Sequence, residues 1–222
     1  MKKNKKLTVA AVLACMLFGC QVDKNNIETL IPHTIEEAIT REVPERVNMN
    51  KGLISYYLQP SVGRVESNPS ASVFLMDGNY VILNIDVTSI VTRKYYNPNS
   101  EELRDYQAFE TVVYEEEGHF TTATDIVRAY RYRLYELEDE QYGMMLQTSN
   151  MLCIATAPIG DTISVTSGMF DLLRTVRCDE EAVVAEYSQK ELIQYQKETL
   201  DIFEKIYPES GTLQEMFDEY NE

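Results

Sequence analysis

The 222-residue sequence contains no tryptophan, only two histidines and only four cysteines. A histidine-built zinc centre needs three or four convergent ligands, and His33 and His119 are too few, with no CxxC or HxxxH spacing to assist them. The GxSxG elbow, the Walker glycine loop and the dinucleotide glycine fingerprint are absent as well. Positive charge is scarce: 20 Lys and Arg stand against 36 Asp and Glu, a formal net charge of -16. Phosphate backbones are bound by neutralising them with basic side chains, so this balance argues against nucleic acid as a partner. No apolar run approaches the roughly 20 residues that a membrane-spanning helix requires.

What is present is an ordinary globular mix, 44% apolar and 25% charged, of a length that suits one domain. The first segment departs from that mix. Met1-Lys-Lys-Asn-Lys-Lys6 is cationic, and Leu7 to Gly19 then runs without a charge. A positive flank, an apolar stretch of about 7 to 15 residues and small residues at its end are the pattern of a secretory signal peptide, here residues 1–19. Its removal takes four lysines with it and leaves a still more acidic chain.

Leu17-Phe18-Gly19-Cys20 resembles the lipobox of bacterial lipoproteins. The resemblance implies a diacylglyceryl group on the Cys20 sulfur, cleavage between Gly19 and Cys20, and often acylation of the freed amine. The residue types have physical reasons. A deprotonated cysteine sulfur is a strong nucleophile, and Gly19 leaves room for a peptidase. Phe18 is bulkier than the family's usual residue there. Two acyl chains suffice to hold a protein on a membrane surface, at about 0.8 kcal/mol per buried methylene.

Residues 20–50 are polar and interrupted by Pro32 and Pro44, and they read as a lipidated tether, although Ile35, Ala38 and Ile39 share one side of a short helix. Residues 51–222 read as a single α+β domain with a largely antiparallel sheet packed by C-terminal helices. Leu53–Leu58 is rich in strand formers. Val73–Met76 and Tyr80–Val87 flank Asp77-Gly78-Asn79, a hairpin signal. Ala108–Tyr114 is expected as a strand, with Glu115-Glu-Glu-Gly118 as its turn. Residues 126–137 fit either a helix, through Ile126, Tyr130, Leu134 and Leu137, or a strand, through Tyr130, Tyr132 and Leu134 alternating with Arg131 and Arg133. The tyrosines and the meander that follows favour the strand.

Glu138-Asp-Glu140 is expected as a turn, Tyr142–Gln147 and Met151–Thr156 as strands, and Pro158 as their end. Val165, Met169, Leu172 and Val176 mark one stripe of a helix. Ala182–Tyr187 is expected as a short strand. Capping patterns at Ser188-Gln-Lys-Glu191 and Thr212-Leu-Gln-Glu215 open two more helices, one lined by Ile193, Leu200, Phe203 and Tyr207. This element order is also faintly similar to the PsbP and Mog1 group of small sandwich domains, which implies no functional residues.

No cofactor, metal or catalytic set emerges, and Cys20 is the one site residue expected. His119, with Glu117 or Asp125 as an acid beside it, has the chemistry of a general base but also of an exposed turn histidine. Cys153 and Cys178 either bridge or remain free, with Cys153 expected as a buried thiol in an apolar strand. The clusters Glu115–Glu117, Glu138–Glu140 and Asp179–Glu181 lack the spacing of an EF-hand loop and read as solvated turns. Tyr56, Tyr57, Tyr95, Tyr96, Tyr130 and Tyr132 suit either a binding platform or a half-buried sheet. The expected function is that of a membrane-anchored surface lipoprotein with a non-enzymatic body that binds an envelope protein or glycan. The alternative is an envelope hydrolase acting on cell-wall material or peptides. An importer's substrate receptor is disfavoured, because one domain does not supply two lobes.

Overall fold

In the computed structural model the described residues are 26–96 and 103–188. Their architecture is α+β. A seven-stranded, wholly antiparallel sheet runs in the order β3-β4-β5-β9-β8-β7-β6, built from β3 (Gly63–Ser67), β4 (Ala71–Met76), β5 (Asn79–Ile85), β6 (Thr111–Thr121), β7 (Val127–Glu136), β8 (Gln141–Thr148) and β9 (Met151–Pro158). A second, small sheet joins β1 (Met49–Asn50), β2 (Ile54–Tyr56) and β10 (Arg177–Cys178). Four helices complete the described part: α1 (Ile27–Thr40), α2 (Val87–Tyr96), α3 (Thr162–Thr175) and α4 (Glu180–Tyr187).

The principal core lies on one face of the large sheet. Successive strand residues point to opposite sides, so Val81, Leu83 and Ile85 of β5 join Cys153 and Ala155 of β9, Met144 and Leu146 of β8, and Tyr132 and Leu134 of β7. Helix α3 closes this face with Val165, Met169, Phe170 and Leu173. The expected stripe is there, but α3 buries more than a stripe, because α1 packs on its other flank.

Helix α1 replaces the tether expected over residues 20–50 where it runs, from Ile27 to Thr40. Ile27, Ile31, Ile35 and Ala38 recur at spacings of four, four and three, form one face, and are all buried in the core. Pro32 stands inside this helix. Its carboxyl end is secured from outside: the buried Arg174 guanidinium donates from Nη1 to the Arg41 carbonyl at 2.6 Å and to the Ala38 carbonyl, and from Nε to the Thr121 carbonyl at 3.1 Å. Terminal helix carbonyls lack intrahelical partners, and a cation there also meets the negative end of the helix dipole.

The hairpin at Asp77-Gly78 is as expected, with φ of 49° and 84°, the pair of positive values of a type I′ turn. The turn at Glu138–Glu140 is also present, with Asp139 and Glu140 both at positive φ. The turn expected at Glu115–Gly118 is not. Strand β6 runs straight through it to Thr121, and the chain reverses at residues 122–126 instead. The cause is cross-strand charge: Glu115 faces Arg133 and Glu117 faces Arg131 in the ladder, and opposite charges directly across an antiparallel pair stabilise it.

The strand expected at Ala182–Tyr187 is helix α4, which starts because the Asp179 carboxylate accepts from the Ala182 backbone N–H at 3.0 Å, with Glu180 and Glu181 in the first turn. Helix α2 was hidden in a run of strand formers. Asp86 ends β5 and caps the helix, accepting from the Ser89 N–H at 2.9 Å and from its hydroxyl at 2.6 Å. The helices expected after Glu191 lie outside the described residues.

The second face of the sheet is covered by residues 103–110. Phe109 lies on Gly143 of β8 and meets Tyr135 edge-on at 5.3 Å, with Met145 and Ile154 alongside. Tyr106 donates to Asp86 at 3.0 Å, and Arg131 and Arg133 donate to the carbonyls of Arg104 and Tyr106.

Asp86 is buried, and burial, outweighing the hydrogen bonds from Ser89 and Tyr106, raises its pKa above the usual 3.8. Between the unfolded value and the raised folded one, the folded chain holds a proton there that the unfolded chain has released. That contribution favours folding at low pH and is lost as pH rises from the unfolded value through the raised folded one. In D86N the amide oxygen can still cap α2 without the buried charge. The stability of D86N relative to wild type should increase between pH 4 and pH 7 in paired urea melts; a decrease would show that the carboxylate is welcome where it sits.

Candidate functional site

Cys20, the expected lipidation residue, lies outside the described residues. The other candidates can be located. His119 lies near the end of β6, exposed, opposite Ala129 of β7. It is not in a turn. Glu117 is committed to Arg131 at 2.5 Å, and Asp125 belongs to the reversal after β6, with φ of 59°. The acid and base that a hydrolase would require are therefore not assembled at His119. His33, read as part of a tether, lies on the exposed side of α1, 3.5 Å from Glu37.

The three acidic clusters have separate roles. Glu115 and Glu117 pair with Arg133 and Arg131, whereas Glu116 points to the other side of β6 and accepts from two phenols, Tyr114 and Tyr130, the latter at 2.6 Å. Burial first, and the Glu116 hydrogen bond and charge second, push both phenols above their usual range. Asp179 caps α4, and Glu180 bridges the Arg93 guanidinium and the Asn150 amide at 2.7 and 2.9 Å. Glu138–Glu140 forms the β7–β8 turn. Among the described residues no group of three or more His, Cys, Asp or Glu is placed to hold a metal ion.

Three of the six tyrosines that suited a platform form core instead. Tyr56, Tyr130 and Tyr132 are buried, Tyr130 and Tyr132 against Phe170, and the Tyr132 hydroxyl reaches Thr166 at 2.7 Å. Tyr95 and Tyr96, at the end of α2, are exposed. Cys153 and Cys178 are both free. Burial raises the Cys153 thiol, and burial with the neighbouring Glu180 pushes Cys178 up to about 12, so neither supplies a thiolate at neutral pH.

One cleft among the described residues draws on segments that no local sequence pattern connects. It holds about 140 Å³ between the chain after α1, the chain after β2 and helix α3, with Pro44, Tyr57, Met76 and Leu172 as apolar walls. At its mouth the Asp171 carboxylate accepts from the Gln59 amide at 3.0 Å and lies 3.4 Å from Arg41 Nε, while Arg41 also donates to Ser167 at 2.7 Å. Burial raises the Asp171 pKa against the pull of Arg41. These polar groups answer one another across the mouth and leave no nucleophile, base and orienter in sequence. A second hollow of about 200 Å³ separates α2 from α4 and is bounded by Arg93, Lys94, Glu180 and Glu181. The Arg93–Glu180 pair at 2.7 Å lies in its wall.

No family model matches the chain, and no curated protein matches it. Among solved structures, the chain is similar to a protein from Bacteroides thetaiotaomicron VPI-5482, with 9% sequence identity and a TM-score of 0.28, over 60% of this chain and 48% of that one. The chain thus spans about half the length of that protein, and a likeness this low carries no argument about fold or function. Among the described residues no helix is long and apolar enough to cross a membrane.

Proposed function

We propose that this chain is a bacterial surface lipoprotein, acylated at Cys20, whose α+β body is a non-enzymatic binding or envelope-assembly module. The observation that carries the reading is Leu17-Phe18-Gly19-Cys20 at the end of an uncharged run behind four lysines. The pattern combines a leader too short to span a bilayer with a nucleophile at its cleavage point. The non-enzymatic half of the reading is supported by what the candidate groups do: His119 is exposed on a strand, Cys153 is buried, and Glu115, Glu116, Glu117, Asp179 and Glu180 are bound to arginines, phenols or a helix end.

The position of α1 sharpens the proposal. Only residues 21–26 separate the acceptor cysteine from Ile27, the first residue of a buried helix. Fully extended, a chain covers at most about 3.6 Å per residue, so the first core residue lies within roughly 25 Å of the lipidated sulfur. The body is held close to the headgroups, without the long stalk that residues 20–50 would have made.

The test is metabolic labelling with radioactive palmitate in a bacterial host. The wild-type chain should carry label and sediment with membranes. Cys20→Ala should lose the label and keep its leader. Label that persists in Cys20→Ala, or a wild-type chain that stays unlabelled, would remove the anchor from the account.

A further inference from the structure

We infer that the outer edge of β6 is a docking site for an extended, basic segment of another protein, which adds to the sheet as an eighth strand. The inference rests on the reading of the body as a binding module and names its partner's chemistry. Strand β6 is 11 residues long, ends the strand order, and among the described strands pairs with β7 alone. A strand uses one edge for each neighbour, so its other edge presents a row of backbone donors and acceptors. Among the described residues, none bonds the backbone of residues 111–120 from that side.

The opposite margin of the sheet is different. Strand β3 is five residues long and carries a register shift between Arg64 and Glu66. The irregularity in β6 falls at Val112–Tyr114, which leaves a regular ladder from Tyr114 to Thr121 with no proline in it. Proteins blunt open edges with prolines, lysines, bulges or short strands. The device found here is three consecutive glutamates.

Those glutamates also select the occupant. A second copy pairing antiparallel about Glu116 would set Glu115 against Glu117 and Glu116 against itself, and like charges directly opposed destabilise a ladder. A basic strand meets the reverse situation. Glu115 and Glu117 share one face with Asp105, and these three carboxylates face two guanidinium groups, Arg131 and Arg133. The side chains of Glu117 and Asp105 remain 58% and 79% exposed, so each retains acceptor capacity toward solvent. Glu116, on the other face, is held by phenols without a cation. Lys or Arg at alternate positions of an incoming strand would lie beside Glu115 and Glu117, and the chain's net charge of -16 would draw such a segment in.

The probe is a capped seven-residue peptide, Thr-Lys-Val-Lys-Thr-Lys-Val, added to the full chain in detergent at low ionic strength. Binding is followed by fluorescence anisotropy and by amide hydrogen exchange. Exchange at alternate residues of 114–120 should slow at least ten-fold. A twin peptide carrying N-methyl groups on alternate amides, equal in charge but unable to pair along that edge, should bind at least ten-fold more weakly. Equal binding of the twin would reduce the contact to charge alone and overturn the inference. So would absent binding, protection confined to other elements, or a peptide-free dimer in sedimentation with β6 already protected. Acylation of Cys20 is read separately, so an unoccupied edge on a lipidated chain would sink this inference and leave the anchor standing.

Discussion

Gly143→Ala should destabilise the body by about 2 to 4 kcal/mol, a drop of roughly 4 to 16 °C in Tm for a domain of this size. An added Cβ would stand 2.4 Å from Phe109 Cε2 and 2.5 Å from its Cδ2, closer than side-chain atoms approach one another. Gly143 is inside β8, paired with Tyr135 on one side and Thr156 on the other, so the backbone has little room to withdraw. Phe109 must then leave its place over the strand, and with it goes the cover of Tyr135, Met145 and Ile154. The loss should be strongly coupled. Phe109→Ala alone should cost about 3 to 5 kcal/mol. In that background Gly143→Ala should be neutral or slightly stabilising, since the obstacle has gone and alanine costs less chain entropy than glycine. Additive losses in the double variant, measured by urea melts, would show that Phe109 does not rest on Gly143.

Arg174→Met is the second large effect. The substitution keeps an unbranched apolar stem and removes every donation to the carbonyls of Ala38, Arg41 and Thr121. Buried acceptors left without a donor cost about 1 to 3 kcal/mol each, and hydrogen bonds from a charged donor are worth more than neutral ones. A combined loss of about 3 to 5 kcal/mol is expected. The damage should be local first. Thermolysin should cleave within residues 27–40 of the variant under conditions that leave the wild type intact, because Arg174 ties α1 to α3 and to the end of β6. Were residues 27–40 a loose stalk, the wild type would be cut there equally fast and the substitution would change little.

Much of the sheet was legible in the sequence, and the reasons are particular. Asp77-Gly78 specifies a two-residue turn by itself. The alternation of Tyr130, Tyr132 and Leu134 with Arg131 and Arg133 has the period of a strand, and α3 advertises its stripe. The α+β class follows from these segments together. What was missed depended on contacts distant in sequence. Strand β6 continues through Glu115–Gly118 because two arginines on β7 lie opposite, and only the pairing of an E-x-E with an R-x-R pattern could have hinted at it. Helix α1 carried a readable face at Ile27, Ile31, Ile35 and Ala38, but Pro32 and the polar residues between masked it, and the guanidinium that finishes the helix lies more than 130 residues away. The capping carboxylates Asp86 and Asp179 were visible as residues, yet the Val- and Ala-rich segments behind them resemble strands until the cap is seen to be made.

The candidate site was less legible. The lipobox resemblance is local and needs no fold to be read, whereas His119 and Glu117 looked like partners only because they are neighbours in sequence. On a strand they do share a face, but Arg131 claims the carboxylate. The 140 Å³ cleft draws Arg41, Gln59 and Asp171 from three separate segments, a convergence that no local pattern could show.

The most direct measurement is mass spectrometry of tryptic peptides from the chain recovered from bacterial membranes. Trypsin cuts after Lys6 and after Lys24, with no Lys or Arg between. The amino-terminal peptide should be residues 20–24, carrying a diacylglyceryl group on Cys20. An unmodified peptide spanning residues 7–24, with the leader still joined to Cys20, would contradict it.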